Sequence, residues 1–187
     1  MVQTIKVYFS GKIHPTPTWR GEVCRLLESK SGCKIIALDP TQFEPGFDLN
    51  HQNCMLLVGR NSFMIQQADF VLVNLSDDVS VGGSQEMLIA KHFGVPLIGL
   101  APTEGKFNKS KEVIVGRTYT NFVHPYVKLS CDAIAETVEE AAGFIASYLK
   151  EPLPSKTMGI MDQALAYYKK QHYPCDAYLQ KTIRSSL

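Results

Sequence analysis

The sequence predicts a doubly wound α/β protein, in which helices cover both faces of a mostly parallel sheet. Strand-like and helix-like segments alternate along the chain from residue 4 to about residue 150. The runs FVLVNL and VPLIGL are almost continuously hydrophobic, as is typical of strands that are covered on both faces. With 187 residues, of which 45% are hydrophobic, the chain can bury a core without disulfides or metals. These observations favour a three-layer sandwich of the Rossmann or flavodoxin type.

The first elements are a strand, a helix and a second strand. The alternating run TIKVYFS predicts a strand over residues 4–10, which Gly11 ends. Thr18 is the predicted N-cap of a helix that begins at Trp19 and ends at Gly32. KIIAL, at 34–38, is the second strand. Residues 39–52 are then predicted to form a long connection, a length that is often functional.

Later elements continue the alternation. A polar loop at 102–111 could act as a lid, a further strand is predicted at 113–115 or 127–129, and Asp132 is a candidate cap for the helix that follows. The other predicted elements are a helix at 53–67, a strand at 70–75, a helix at 85–93, a strand at 95–100 and a helix at 134–149.

The segment Glu151-Pro152-Leu153-Pro154 predicts a boundary between an α/β domain at 1–150 and a C-terminal helical extension at 151–187. A helix is predicted over 158–171 and a shorter one after Pro174. The first of these carries an apolar stripe, which packs either on its own domain or on a partner subunit. The stripe consists of Met158, Met161, Leu165 and Tyr168.

Charge and composition narrow the function. A net charge of +1 gives no electrostatic case for binding a nucleic acid polymer or an anionic membrane. No apolar run is long enough to span a bilayer, and no secretory leader is visible, so a cytoplasmic location is expected. The five cysteines are widely spaced without a C-x-x-C pair, which predicts reduced thiols. No pattern indicates a metal or a cofactor.

One segment combines a buried strand, a glycine turn and the start of a helix. It is NLSDDVSVGGSQE, at 74–86. Ligands of parallel sheets bind outside the carboxyl ends of the strands, so this turn should share one crevice with the loops after Ser10 and Leu100. Gly82 and Gly83 allow a ligand close to the backbone, and a helix N-terminus suits an anion such as phosphate.

Glu86 is the residue in this segment with the clearest chemical potential. We expect it in the first helical turn, where the helix dipole favours the ionised carboxylate. An ionised carboxylate at a crevice is what a glycosidic nucleophile requires. A glutamate at this position also stabilises a helix start without doing chemistry, and spacing alone leaves both interpretations open. The segment matches neither a dinucleotide fingerprint, a P-loop nor a nucleophile elbow.

Three segments, in this order, resemble the nucleoside 2-deoxyribosyltransferase superfamily. They are VYFSGKI at 7–13, RNSFMIQQAD at 60–69, and SVGGSQEM at 80–87 with the Gly-Val-Pro that follows at 94–96. The resemblance covers about residues 4 to 101, with a looser helix near 136–150. It implies cleavage of the N-glycosidic bond of nucleosides or nucleotides, by hydrolysis or by transfer.

The resemblance also implies roles for single residues. Glu86 would attack the anomeric carbon to form a glycosyl-enzyme, and Tyr8 would position its carboxylate by a hydrogen bond. Water or a second base would then complete the reaction. Substrate contacts are expected from Gly11, Ile13, Asp77, Ser80, Gly82, Gly83 and Ser84.

Two positions depart from the pattern of the transferases. Ser80 stands where they carry Asp, whereas the deoxynucleoside 5'-monophosphate N-hydrolase branch carries Ser there and uses it on phosphate. Ser80 therefore favours hydrolysis of a nucleoside 5'-monophosphate. Asn61 stands where the family usually has an Asp that acts on the leaving base, and an amide cannot serve as a general acid. Either Asp77 or Asp78 substitutes for it, or the protein binds nucleotides without cleaving them.

Two further segments bear on the substrate and on partners. KFNKSK, at 106–111, is basic and either closes over phosphate or is a solvated loop. RTYTNFVH, at 117–124, resembles the region from which a neighbouring subunit often completes the site in the family, so a homodimer or higher homo-oligomer is expected. A structural or assembly role carried by the C-terminal helices is the remaining alternative.

Overall fold

The computed structural model describes residues 2–13, 18–43 and 54–184, so most of the long connection and part of the first loop lie outside the described residues. The strands are β1 (Thr4–Ser10), β2 (Lys34–Leu38), β3 (Phe70–Asn74), β4 (Leu97–Leu100), β5 (Asn108–Ile114), β6 (Arg117–Val123) and β7 (Ala133–Ala135). The helices are α1 (Thr18–Ser31), α2 (Cys54–Gln66), α3 (Val81–Phe93), α4 (Pro125–Ser130), α5 (Val138–Lys150), α6 (Gly159–Gln171) and α7 (Ala177–Arg184).

Five strands form one parallel sheet in the order β2-β1-β3-β4-β7. The chain winds outward from β1 in both directions, which makes the β1/β3 pair the topological switch point. A ligand crevice is expected outside the carboxyl ends of these two strands. The predicted doubly wound α/β class is confirmed.

The sheet is covered on both faces because its strands bury both sets of alternating side chains. In β1, Val7 and Phe9 enter the core cluster that α1 and α5 cover. Tyr8 points to the opposite face, where the core cluster includes residues of α2 and α3. Side chains two residues apart share a face of a strand, so Ser10 lies on the same side as Tyr8.

Helix α3 begins four residues earlier than predicted. Its N-cap is Ser80, whose side chain accepts the backbone N–H of Gly83. Gly82 and Gly83 are therefore helical residues rather than turn residues, and Glu86 lies in the second turn, not the first. The serine cap lets the helix start ahead of both glycines, although glycine is a weak helix former.

The region from 102 to 137 also differs from the prediction. β5 and β6 form an antiparallel hairpin, so part of the predicted loop is strand, and residues 127–129 lie in α4. The predicted helix from 134 is a short strand followed by α5, which Thr137 caps. Asp132 caps nothing, because its side chain accepts the backbone N–H groups of Leu97 and Lys156 and pairs with buried Lys91.

Beyond residue 151 the chain forms α6, a short 3-10 helix and α7. Met158 and Met161 line an apolar cavity of about 450 Å³ together with residues of α3 and α4, whereas Leu165 is 50% exposed. The predicted stripe thus packs only partly against α3 and α4. Among the described residues, no helix has both the length and the apolar character needed to cross a bilayer.

Candidate active site

The carboxylate of Glu86 lies at the carboxyl end of β1, on the face that α2 and α3 cover. The hydroxyl of Tyr8 donates to Glu86 Oε1 at 2.7 Å, and the hydroxyl of Ser10 donates to Oε2 at 2.6 Å. Both donors reach the same carboxylate because residues 8 and 10 of a strand point to the same face. The predicted hydrogen bond between Tyr8 and Glu86 is therefore present.

These contacts distinguish between the two interpretations of Glu86 that the sequence left open. The start of α3 is capped by Ser80, and Glu86 is the sixth residue of the helix. Its side chain is 8% exposed and its carboxylate bonds to side chains of β1 and α2 instead of to the first N–H groups of its own helix. Burying a charge costs free energy unless donors surround it. The carboxylate is therefore held by side chains of β1 and α2 and does not stabilise the start of its own helix.

Asn61 completes this cluster from α2. Its Nδ2 donates to Glu86 Oε1 at 3.2 Å. The neighbouring carboxylate fixes the amide orientation, because the opposite flip would set oxygen against oxygen. Asn61 Oδ1 is then buried, with no hydrogen-bond partner among the residues that the structure describes. A buried acceptor without a partner next to a carboxylate marks a place where a substrate donor would be favoured.

Tyr8 is held in its protonated form. Burial raises the pKa of Tyr8 far above its usual value, and the negative charge of Glu86 and the hydrogen bond to it raise it further. The positive charges of Arg20 and Arg60 act in the opposite direction and are weaker. Tyr8 is therefore a permanent hydrogen-bond donor to Glu86 in the ordinary pH range, and not a base.

The start of α3 forms the second part of the site. The first N–H groups of a helix have no intrahelical acceptor, and the dipole there is positive. Ser80 Oγ accepts from Gly83 N at 3.0 Å, which leaves its own proton free to donate. Ser84 instead donates to the carbonyl of Val81. Gly82 is open, since an added Cβ would meet only Ser80 Oγ, at 3.9 Å.

Gly83 connects the two parts. A Cβ at this position would lie 3.1 Å from Val79, 3.3 Å from Ser80 Oγ and 3.5 Å from Ser10 Oγ. The helix start therefore packs directly against the serine that contacts Glu86, and glycine provides the space for that contact.

Of the other predicted substrate residues, Asp77 lines a small cavity at the ends of β1 and β3, and Gly11 lies against Asn74 and Trp19, which also line it. Gly11 has a φ of 147°, and a Cβ there would lie 3.2 Å from both Asn74 and Trp19. Asp77 faces Lys12 at 3.8 Å at the edge of this cavity, and both are exposed. Ile13 is 65% exposed and joins neither group of residues.

The basic segment at 106–111 is engaged with acidic residues. Lys106 bonds to Asp78 at 2.8 Å, and Lys109 pairs with Glu112 within β5. The bond to Lys106 lowers the pKa of Asp78, so this carboxyl is ionised at neutral pH. Asp78 is therefore not a candidate general acid at neutral pH.

Two buried residues of the site were not predicted from the sequence. Ser10 has no exposed surface and contacts Glu86 directly. Arg20, 2% exposed, donates to the carbonyls of Phe9 and Gly11 and lies 3.4 Å from Asp39. The arginine thus holds the end of β1 through two backbone carbonyls. The period of two along β1 was a usable signal for Ser10, whereas nothing in the sequence pattern pointed to Arg20.

The order of the strands defines a three-layer α/β protein. The buried carboxylate gives it a polar site at the carboxyl ends of the strands. Among solved structures, a 2-deoxyribosyltransferase from the bacterium Bacillus psychrosaccharolyticus has 15% sequence identity and a TM-score of 0.51, and the match covers 81% of this chain and 98% of that chain. A conserved protein from Enterococcus faecalis V583 has 13% identity and a TM-score of 0.53, and the match covers 77% and 98%. No family model and no curated protein matches the sequence. These similarities confirm the fold that the resemblance implied.

Proposed function

We propose that the protein hydrolyses the N-glycosidic bond of a nucleoside 5'-monophosphate, with Glu86 as the nucleophile. The observation that carries the proposal is the buried carboxylate with donors from Tyr8, Ser10 and Asn61. Such donors hold a buried carboxylate in one orientation, which favours attack on an anomeric carbon. The resemblance to the 2-deoxyribosyltransferase superfamily supports the same reaction.

The reaction has two displacements. Glu86 attacks the anomeric carbon as the bond to the base breaks, and the electron pair of that bond goes to the base nitrogen. Water then attacks the same carbon, and the carboxylate leaves. Glu86 is thereby regenerated and free sugar phosphate is released.

The start of α3 supports a phosphate on the substrate. Ser80 has a free proton to donate, Gly82 leaves the backbone accessible, and the first N–H groups of the helix favour an anion. Asp77 and Asp78 would oppose this anion, but each faces a lysine. The balance of charge at the helix start is therefore compatible with a monophosphate.

The leaving base receives its proton from solvent in this proposal. Asn61 cannot be a general acid, and its amide instead orients Glu86. A base that leaves without an acid is expected to be a good leaving group, so the rate should depend strongly on the base.

A panel of nucleosides and their 5'-monophosphates, read by chromatography for free base, tests the proposal. We expect base release from monophosphates at a higher kcat/KM than from the matching nucleosides. Ser80→Ala should reduce that preference by about tenfold, the usual effect of one hydrogen bond to a charged group. Absence of base release from every compound would contradict the hydrolase proposal.

The second candidate is a nucleotide-binding or sensor protein without turnover. The amide of Asn61, in the position of an expected acid, favours it. This candidate predicts that calorimetry detects binding of a monophosphate while no base is released. Asn61→Asp would place a second carboxyl beside Glu86, where the two would share a proton, and that variant should gain base release.

A further inference from the structure

The two oxygens of Glu86 have different surroundings. Oε1 accepts hydrogen bonds from both Tyr8 and Asn61, at 2.7 and 3.2 Å. Oε2 accepts one from Ser10, at 2.6 Å. Each oxygen of an ionised carboxylate offers about two lone-pair directions. Among the described residues, Oε1 has both directions occupied and Oε2 has one free.

We infer that Oε2 is the oxygen that attacks the anomeric carbon, and that Ser10 is the positioning residue that acts on this oxygen. The inference rests on the proposed function and assigns a role to a residue for which the resemblance implies none. Ser10 belongs to β1, which pairs with a strand on each side, and its side chain is fully buried, so its hydroxyl is held against Glu86. Arg20 holds the same strand end through the carbonyls of Phe9 and Gly11.

The two reaction steps make different demands on Ser10. In the first step, a bond forms between Oε2 and the anomeric carbon, the bond to the base breaks, and the base takes a proton from solvent. In the second step, the oxygen of water bonds to that carbon, the electron pair of the ester bond returns to Oε2, and the water gives up a proton to solvent. A donor on Oε2 stabilises the returning charge. The Ser10 hydroxyl therefore assists mainly the second step.

Tyr8 differs from Ser10 in this respect. It donates to Oε1, which becomes the carbonyl oxygen of the glycosyl-enzyme ester and keeps its hydrogen bond. Loss of the tyrosine hydroxyl should therefore not retard the second step selectively. Comparing the two hydroxyls separates a role on the attacking oxygen from a general role in holding Glu86.

The test is rapid-mixing measurement of base release from a nucleoside 5'-monophosphate that the wild-type protein cleaves, with intact-mass analysis of the protein. In Ser10→Ala we expect a burst of about one base per active site, a steady-state rate about 10- to 100-fold lower, and accumulation of the glycosyl-enzyme. Ser10→Thr, which keeps the hydroxyl, should restore the steady-state rate and remove the adduct. Tyr8→Phe should lower the rate without accumulating the adduct.

Three outcomes would overturn the inference. They are adduct accumulation in Tyr8→Phe but not in Ser10→Ala, a Ser10→Ala variant with the wild-type rate, and a Ser10→Ala variant that loses the burst. If Ser10→Ala does not fold, Ser10→Cys, which keeps the volume and has a weaker donor, should still accumulate adduct relative to Ser10→Thr. A wild-type protein that releases no base would instead contradict the proposed function itself.

Discussion

At the scale of single residues, one buried glutamate and its donors define the site. Tyr8 and Ser10 project from the same face of β1, and Asn61 reaches Glu86 from α2. Each donor forms a hydrogen bond with the carboxylate of Glu86, which would otherwise be costly to bury. The chemistry of the site thus depends on a small number of side chains attached to rigid elements.

Tyr8 also predicts how stability changes with pH. Its pKa is raised in the folded protein above the ordinary value of 10.0, so the folded state keeps the proton while the unfolded chain loses it. The stability contribution is complete below pH 10 and is lost as pH rises further. We expect the unfolding free energy to fall above pH 10 with a slope of at most about 1.4 kcal/mol per pH unit from this residue.

Urea unfolding at several pH values between 9 and 11 measures this slope. Tyr8→Phe should flatten it, because the variant has no phenol to ionise. Tyr178→Phe removes an exposed tyrosine, 79% exposed, and serves as the matched control. Equal slopes for the wild-type protein and Tyr8→Phe would show that burial of the phenol does not contribute to the pH dependence of the unfolding free energy.

The residues of the site could be predicted only in part. A family pattern connected Glu86 with Tyr8 and Asn61, and these three do lie together. The alternation along β1 predicts which face of the strand Ser10 lies on. It does not predict the distance from Ser10 to Glu86, which depends on how α3 packs against β1. Arg20 could not be foreseen, since an arginine early in a helix is ordinarily a surface residue.

At the scale of elements, the start of α3 shows how a local rule can mislead. The two glycines favoured a turn, and a helix beginning at Gln85 was predicted. The serine cap at Ser80 fixes an earlier start, which moves Glu86 to the second turn. The predicted start at Gln85 was wrong because the hydrogen bond of the Ser80 cap offsets the low helix propensity of the two glycines.

The two glycines of α3 should respond differently to alanine. Gly82→Ala should raise the unfolding free energy by about 0.5 kcal/mol, because alanine is the better helix former and the site is open. Gly83→Ala should lower it, since the new Cβ would crowd Val79 and the hydroxyls of Ser80 and Ser10. Urea unfolding of both variants checks this. Equal effects would mean that α3 has room to move away from β1 at Gly83.

The regions after β4 were the least predictable. The hairpin of β5 and β6 was predicted as a loop with at most a short strand, because its charged and polar side chains lack an apolar period. β7 was assigned to a helix because three residues provide too little pattern for strand alternation. The outer parts of the fold depend on pairing partners distant in sequence, and local propensity does not encode those partners.

At the scale of the whole molecule, a buried ion pair ties three parts of the chain together. Lys91 of α3 has no exposed surface and pairs with Asp132, which also accepts the N–H groups of Leu97 and Lys156. Lys156 in turn precedes α6. This carboxylate therefore joins α3, the sheet and the segment that leads into α6.

Asp132→Asn should destabilise the protein by about 3–5 kcal/mol, because it leaves Lys91 buried without a counter-charge. The double variant Lys91→Met with Asp132→Asn removes both charges and should recover part of the loss. Thermal and urea unfolding measure both. A single variant as stable as the wild-type protein would show that water reaches Lys91, contrary to its burial.

One measurement tests whether Glu86 is the nucleophile of an N-glycosidase, as we propose. This is the rate of free-base release from a nucleoside 5'-monophosphate by the wild-type protein and by Glu86→Gln, at equal folded concentration. The glutamine keeps the shape and can still accept from Tyr8, but it lacks the nucleophilic oxygen. We expect base release by the wild-type protein and a loss of about a thousandfold or more in the variant. A variant that keeps full activity would show that Glu86 is not the nucleophile.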